Sequence, residues 1–217
     1  MRNRIVILMA VAVLMITACK RRPEQDKNVI DKPNIEIKDG KLSPEALWSF
    51  GRIGEVSVSP DGKKVLYTLT YYSISENKGN AEIYTMNIDG SDVQRLTTTA
   101  SSEWNVIWNP KGDKIGFIYA DENGVNIYEM NPDGTGRKAI SDLKEGDLEG
   151  FSYSPDGTKV VYVRAVPKQD KYAKLKEGLD KTTGRINDDL AYRHWDNWVD
   201  AIPQPFVADF DGKKIGE

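Results

Sequence analysis

Cysteine and histidine are nearly missing from this 217-residue chain, which has one of each. A structural zinc site takes about four Cys or His ligands, so that class falls away; carboxylate-based metal sites are left open. Basic charge is not in excess either: 30 Lys and Arg stand against 33 Asp and Glu, a formal net charge of −3. A nucleic-acid binder gathers Lys and Arg on one face, and no such stretch is present. No apolar run reaches the ~20 residues that cross a bilayer; the longest, Ile5 to Ala18, is well short of that. The Gly-x-Ser-x-Gly elbow of an α/β-hydrolase is absent. Its nearest approach, Gly150-Phe151-Ser152-Tyr153-Ser154, fails at the last position. Asp121 to Gly124 and Asn131 to Gly134 lack the acidic spacing of a calcium loop and its terminal Glu, and are read as turns. No catalytic residue, cofactor site or metal site is therefore expected.

Arg2 and Arg4 precede the apolar run, and Ile16-Thr17-Ala18-Cys19 closes it. A basic start and a short apolar core are the marks of a signal peptide, and the closing residues resemble the bacterial lipobox. That resemblance implies cleavage after residue 18 and acylation of Cys19 as the first mature residue. Several acyl chains hold a protein stably on a membrane where one does not. Cleavage removes Arg2 and Arg4, leaving 28 basic against 33 acidic residues, and no second Cys for a disulfide. Lys20 after the Cys resembles lipoproteins released to the outer membrane. Residues 19–41 are polar and charged, which predicts a flexible tether.

One unit recurs three times. Val56 to Tyr67, Val106 to Phe117 and Phe151 to Tyr162 each carry a short strand, a Ser-Pro or Asn-Pro, a Gly and a second strand. Pro60, Pro110 and Pro155 are 50 and 45 residues apart. Proline stops the strand and opens a turn, and glycine supplies positive φ. A second hairpin follows, turning at Asp89-Gly90 and at Asp133-Gly134. Four antiparallel strands repeated at this period make propeller blades. The expected fold is all-β: a partial β-propeller of about three blades, near 53–98, 104–141 and 150–217, within a domain spanning 42–217. A β-sandwich would not repeat one turn sequence at a fixed period.

The Pro-Asp-Gly units resemble the propeller repeats of TolB-type proteins and of the prolyl oligopeptidase family, over roughly residues 43–217. Two segments resemble the peptidase branch more closely. Leu42 to Gly54 predicts a short helix capped by Ser43, with Pro44 in its first turn, packing Leu47 and Trp48 on the first blade. Asp188 to Asp200 lies in an insertion at 166–204 inside the third blade. Its Tyr192, Arg193, His194, Trp195, Asp196 and Trp198 form a candidate substrate-channel or structural cluster, with His194 ordering the aromatic rings rather than acting as a base.

The resemblance to bacterial dipeptidyl and acylaminoacyl peptidases implies a propeller that gates and selects peptide substrates. Peptidases of this kind carry Ser, Asp and His on a following α/β-hydrolase domain, which is not in this sequence. The chain is thus expected to be a non-catalytic portion of an exported, lipid-anchored serine peptidase in the bacterial envelope. A TolB-like propeller that binds an envelope protein is the second expectation, and a functionless remnant the third.

Overall fold

The computed structural model describes residues 29–37, 39–143, 147–169, 172–179, 181–184, 186 and 193–216. The leader, Cys19 and Tyr192 lie outside the described residues.

Helix α1 (Pro44–Ser49) precedes the first blade, and the Ser43 hydroxyl accepts the Ala46 N–H at 3.1 Å, satisfying a free donor of the first turn. Its buried residue is Ala46; Leu47 is exposed, and Trp48 meets Tyr72 edge-on at 5.3 Å. The expected packing through Leu47 is therefore replaced by packing through Ala46 and the rim of Trp48. Ahead of the helix, within the stretch expected to be a tether, Ile30 is buried and Asp31 pairs with Arg95.

Blade 1 is a four-stranded antiparallel sheet of β1 (Arg52–Val58), β2 (Lys64–Ser73), β3 (Lys78–Asn87) and β4 (Gln94–Arg95). Blade 2 repeats it with β5 (Glu103–Trp108), β6 (Ile115–Asp121), β7 (Gly124–Met130) and β8 (Lys138–Ala139). Blade 3 contains β9 (Leu148–Tyr153), β10 (Lys159–Pro167) and β13 (Ala201–Asp209), with the small β11 (Arg193–His194) and β12 (Asn197–Trp198) between the last two. After β13 the chain turns so that Ile215 bridges Phe210 and gives its N–H to the Ile140 carbonyl at 2.8 Å. That bond ties blade 3 to blade 2.

The insertion is shorter than expected. Nine residue pairs join β10 to β13, from Lys159 with Asp209 to Pro167 with Ala201, so the interruption runs from 168 to 200. Pro203 and Pro205 alternate along β13, which lies at the edge of its described sheet. A proline whose missing N–H would point away from the neighbouring strand costs no ladder bond.

The turns show how one shape tolerates two chemistries. In blade 1 the Ser59 hydroxyl donates to Asp61 Oδ1 at 2.6 Å and accepts the Lys64 N–H at 2.9 Å. Ser154, Asp156 and Lys159 repeat this in blade 3 at the same distances. The Ser154 hydroxyl, with the Thr158 amide, holds the Asp156 carboxyl down at about 2. Blade 2 has Asn109 in place of serine and moves its acid two residues on. Asn109 Nδ2 donates to Asp113 Oδ1 at 2.7 Å, while Asn109 Oδ1 accepts the N–H of Asp113 and of Lys114, each at 3.1 Å. All three turns keep their glycine at positive φ, +72° at Gly62, +73° at Gly112 and +69° at Gly157.

The cores lie between blades rather than within them. Leu66 and Ile83 of blade 1 pack on Val106, Trp108, Ile115, Phe117 and Met130 of blade 2. Ile118, Ile127 and Ile140 of blade 2 pack on Phe151, Val160, Tyr162 and Phe210 of blade 3. Burying each such side chain contributes roughly 1.5–3 kcal/mol, so the seams carry the stability. The two outward faces are apolar as well. Ile53 (69% exposed), Val56 and Val58 line blade 1 on the face opposite Leu66, and Val161 pairs with Val207 (69% exposed) on the far face of blade 3.

Candidate functional site

The first strands of the three blades are tied to each other by side chains. Each is bulged: the register slips between Ile53 and Val56 in β1 and between Trp104 and Ile107 in β5. A bulge frees backbone groups from the ladder and re-aims a side chain. Glu55 Oε2 accepts the Val106 N–H of the next blade at 2.8 Å. Asn105, five residues before its proline like Glu55, brackets Phe151 of blade 3: Nδ2 donates to the carbonyl at 2.9 Å and Oδ1 accepts the N–H at 3.0 Å. Asn105 reaches this position with φ +51°, a conformation asparagine tolerates better than most residues.

The insertion ends in a hairpin apart from the blade sheet, with Arg193 opposite Trp198 and His194 opposite Asn197. Its base is closed by the Lys168 N–H on the Asp200 carbonyl at 2.8 Å. The Arg193 guanidinium lies 4.7 Å from the Trp198 ring centre, a cation–π pair. Trp195 and Asp196 form the tip. Trp195 is 90% exposed and has φ +57°, uncommon for so bulky a residue. The structure thus brings Arg193 and Trp198 together but holds Trp195 out of the aromatic cluster expected for it, because the turn aims its ring into solvent. His194 and Asp196 are exposed. The two-strand arm thus displays a cation, an indole and a carboxylate at the surface.

A buried polar chain at the seam of blades 1 and 2 escaped the sequence reading. Glu82 on β3 and Glu103 at the start of β5 are 2% and 1% exposed. Both are bound by Thr99: its N–H donates to Glu82 Oε1 at 2.9 Å, and its hydroxyl lies 2.7 Å from both Glu103 Oε1 and the Ser101 carbonyl. Thr97 donates to Glu103 Oε2 at 2.9 Å. Arg95 lies 3.2 Å from Glu82 and also pairs with Asp31; Arg137 lies 3.2 Å from Glu103. Burial, reinforced by the neighbouring Glu82, pushes the Glu103 carboxyl up to about 7. At the next seam the Tyr153 hydroxyl donates to buried Glu129 at 2.9 Å, and burial raises both groups. Charged residues in short strands usually mark a solvent face, and no spacing in the sequence distinguishes these three.

Antiparallel blades of three or four described strands, with Pro-x-Gly turns and joined by apolar seams, define a propeller domain. The chain belongs to the TolB beta propeller domain family, whose pattern matches residues 40–195. It is 37% identical over 167 residues to dipeptidyl-peptidase 5 of Porphyromonas gingivalis, covering 77% of this chain and 24% of that protein. The dipeptidyl-peptidase 5 of Porphyromonas endodontalis is 34% identical over the same length and coverage. The chain thus spans about a quarter of the length of the curated relatives it matches first. Among solved structures, an acylaminoacyl peptidase of Pyrococcus horikoshii superposes with a TM-score of 0.59 at 17% identity, over 78% of this chain and 25% of that one. That likeness is one of fold.

Proposed function

We propose that this chain is the non-catalytic propeller portion of an exported serine peptidase of the dipeptidyl-peptidase kind, where it gates and selects peptide substrates. The observation that carries the reading is the 37% identity to a dipeptidyl-peptidase 5 over 167 residues. The matched stretch takes in 77% of the chain, and the chain itself contains no Gly-x-Ser-x-Gly elbow. The arm at 193–198 gives the propeller a surface for recognising peptides, and the two apolar outward faces suit further blades on either side. The peptidase activity would then reside on residues beyond this chain. Reading the source gene past codon 217 tests this. Further blades, a Gly-x-Ser-x-Gly and a later Asp and His are the expected outcome. Further blades closing without the elbow would replace this reading with a TolB-like propeller that binds an envelope protein, which the family match also supports.

The same proposal places the protein on the bacterial envelope, lipid-anchored through Cys19. Arg2, Arg4, the apolar run and the Ile16 to Cys19 box support it. Metabolic labelling with a fatty acid is expected to mark the wild type and to leave Cys19→Ser unlabelled; equal labelling of both would remove the anchor from the proposal.

A further inference from the structure

We propose that Glu103, held beside Glu82 by Thr99, is a proton-sensitive clasp on the seam of blades 1 and 2: its proton keeps the connection 97–103 shut, and loss of that proton loosens the connection. The clasp stands on the geometry of Thr99. This one residue gives its N–H to Glu82 and sets its hydroxyl within hydrogen-bond reach of Glu103, so two carboxyl groups from different blades are held on either side of it. Both are buried, and two buried carboxylates sharing a site do not both ionise without cost. The Thr99 hydroxyl lies 2.7 Å from the Ser101 carbonyl as well as from Glu103 Oε1, so it can donate to Ser101 while a protonated Glu103 donates to the Thr99 oxygen.

The surrounding charges do not cancel the repulsion. Arg95 on β4 faces Glu82 but divides its charge with Asp31 of the leading segment, and Tyr84 of β3 lies within its field. Arg137 faces Glu103 from the approach to β8, its guanidinium 3.8 Å from the ring centre of Tyr119 on β6 and 5.4 Å from that of Tyr128 on β7. Tyr128 in turn donates to Asp121, whose carboxylate lies within the field of Arg137. Asn80, Thr97 and Thr99 add only neutral donors. Two guanidiniums thus serve Asp31, Glu82, Glu103 and Asp121 together. Thr97 also accepts the Ile83 N–H at 2.8 Å, so loosening the connection acts directly on β3 and on the blade 1 side of the apolar seam.

The direction follows from linkage. A carboxyl that holds its proton more tightly folded than unfolded adds stability at low pH. That stability is complete below the unfolded value of 4.5 and is lost as pH rises through the folded value of about 7. Amide exchange of the chain, corrected for intrinsic rates, reads this out. Protection of the Thr99 and Ile83 amides is expected to fall about tenfold or more between pH 5 and pH 8 in the wild type, and to stay flat in Glu103→Gln. A carbon-13 titration of the Glu103 carboxyl in the unmodified chain supplies a second readout that needs no variant. Proton loss between pH 6 and 8 supports the clasp. Loss below pH 5, or exchange profiles that coincide for wild type and variant, overturns it.

Discussion

Gly116 and Tyr153 are fitted to each other across the seam of blades 2 and 3. A Cβ built at 116 would stand 2.9 Å from Phe151 Cζ and closer still to the Tyr153 hydroxyl. The glycine is thus the socket that lets Tyr153 reach Glu129. Gly116→Ala is expected to destabilise the chain by about 1–3 kcal/mol, the usual cost of overpacking. Urea unfolding followed by tryptophan fluorescence measures it; an unchanged midpoint would show that the seam can shift to make room.

The exchange of turn chemistry between blades allows a rescue experiment. Asn109→Ser removes the bonds that Asn109 makes to Asp113 and Lys114, and it lacks an acid two residues on to receive the new hydroxyl. It is expected to cost about 1 kcal/mol. Adding Lys111→Asp recreates the arrangement of Ser59 with Asp61 and is expected to recover most of that loss. Thermal unfolding of the single and double variants decides the matter, and additive losses would contradict it.

Asn105 serves through its side chain and through its backbone, and the two are separable. Asn105→Ala loses both bonds to Phe151 and puts an unfavourable residue at positive φ, for an expected loss of about 2–3 kcal/mol. Asn105→Gly loses the same bonds but accepts the φ, so it is expected to be milder in that respect. A glycine variant clearly worse than the alanine variant in denaturant titrations would show that φ plays no part.

How much of this was legible in the sequence depends on what each feature requires locally. The blades were legible because their turns need proline and glycine at fixed places, as at Pro60 and Gly62. The length of β10 and β13 was not, since Pro167, Pro203 and Pro205 look like strand breakers and are tolerated only where a missing N–H points away from a partner. The stacking of Arg193 on Trp198 was not legible, because the short hairpin that sets the two opposite each other has no local pattern. Trp195 stands apart because a positive φ at the tip, invisible in sequence, turns it outward. Glu82, Glu103 and Glu129 were missed because their partners lie in other strands or blades, far along the chain, and nothing local announces a buried charge.

Trp195, being 90% exposed, separates stability from recognition. Trp195→Ala is expected to leave unfolding within about 0.5 kcal/mol of wild type. In the product of the complete gene it is expected to raise KM for peptide substrates while leaving fluorophosphonate labelling intact. Unaltered KM would take the arm out of substrate selection.

The central claim is that this propeller serves a serine peptidase, and the most direct measurement is fluorophosphonate labelling of the purified product of the whole reading frame, run beside the 217-residue chain. The complete product is expected to be labelled and to release chromophore from dipeptidyl substrates, while the chain alone stays unlabelled and inactive. A complete product that takes up no label and cleaves no such substrate would contradict the claim.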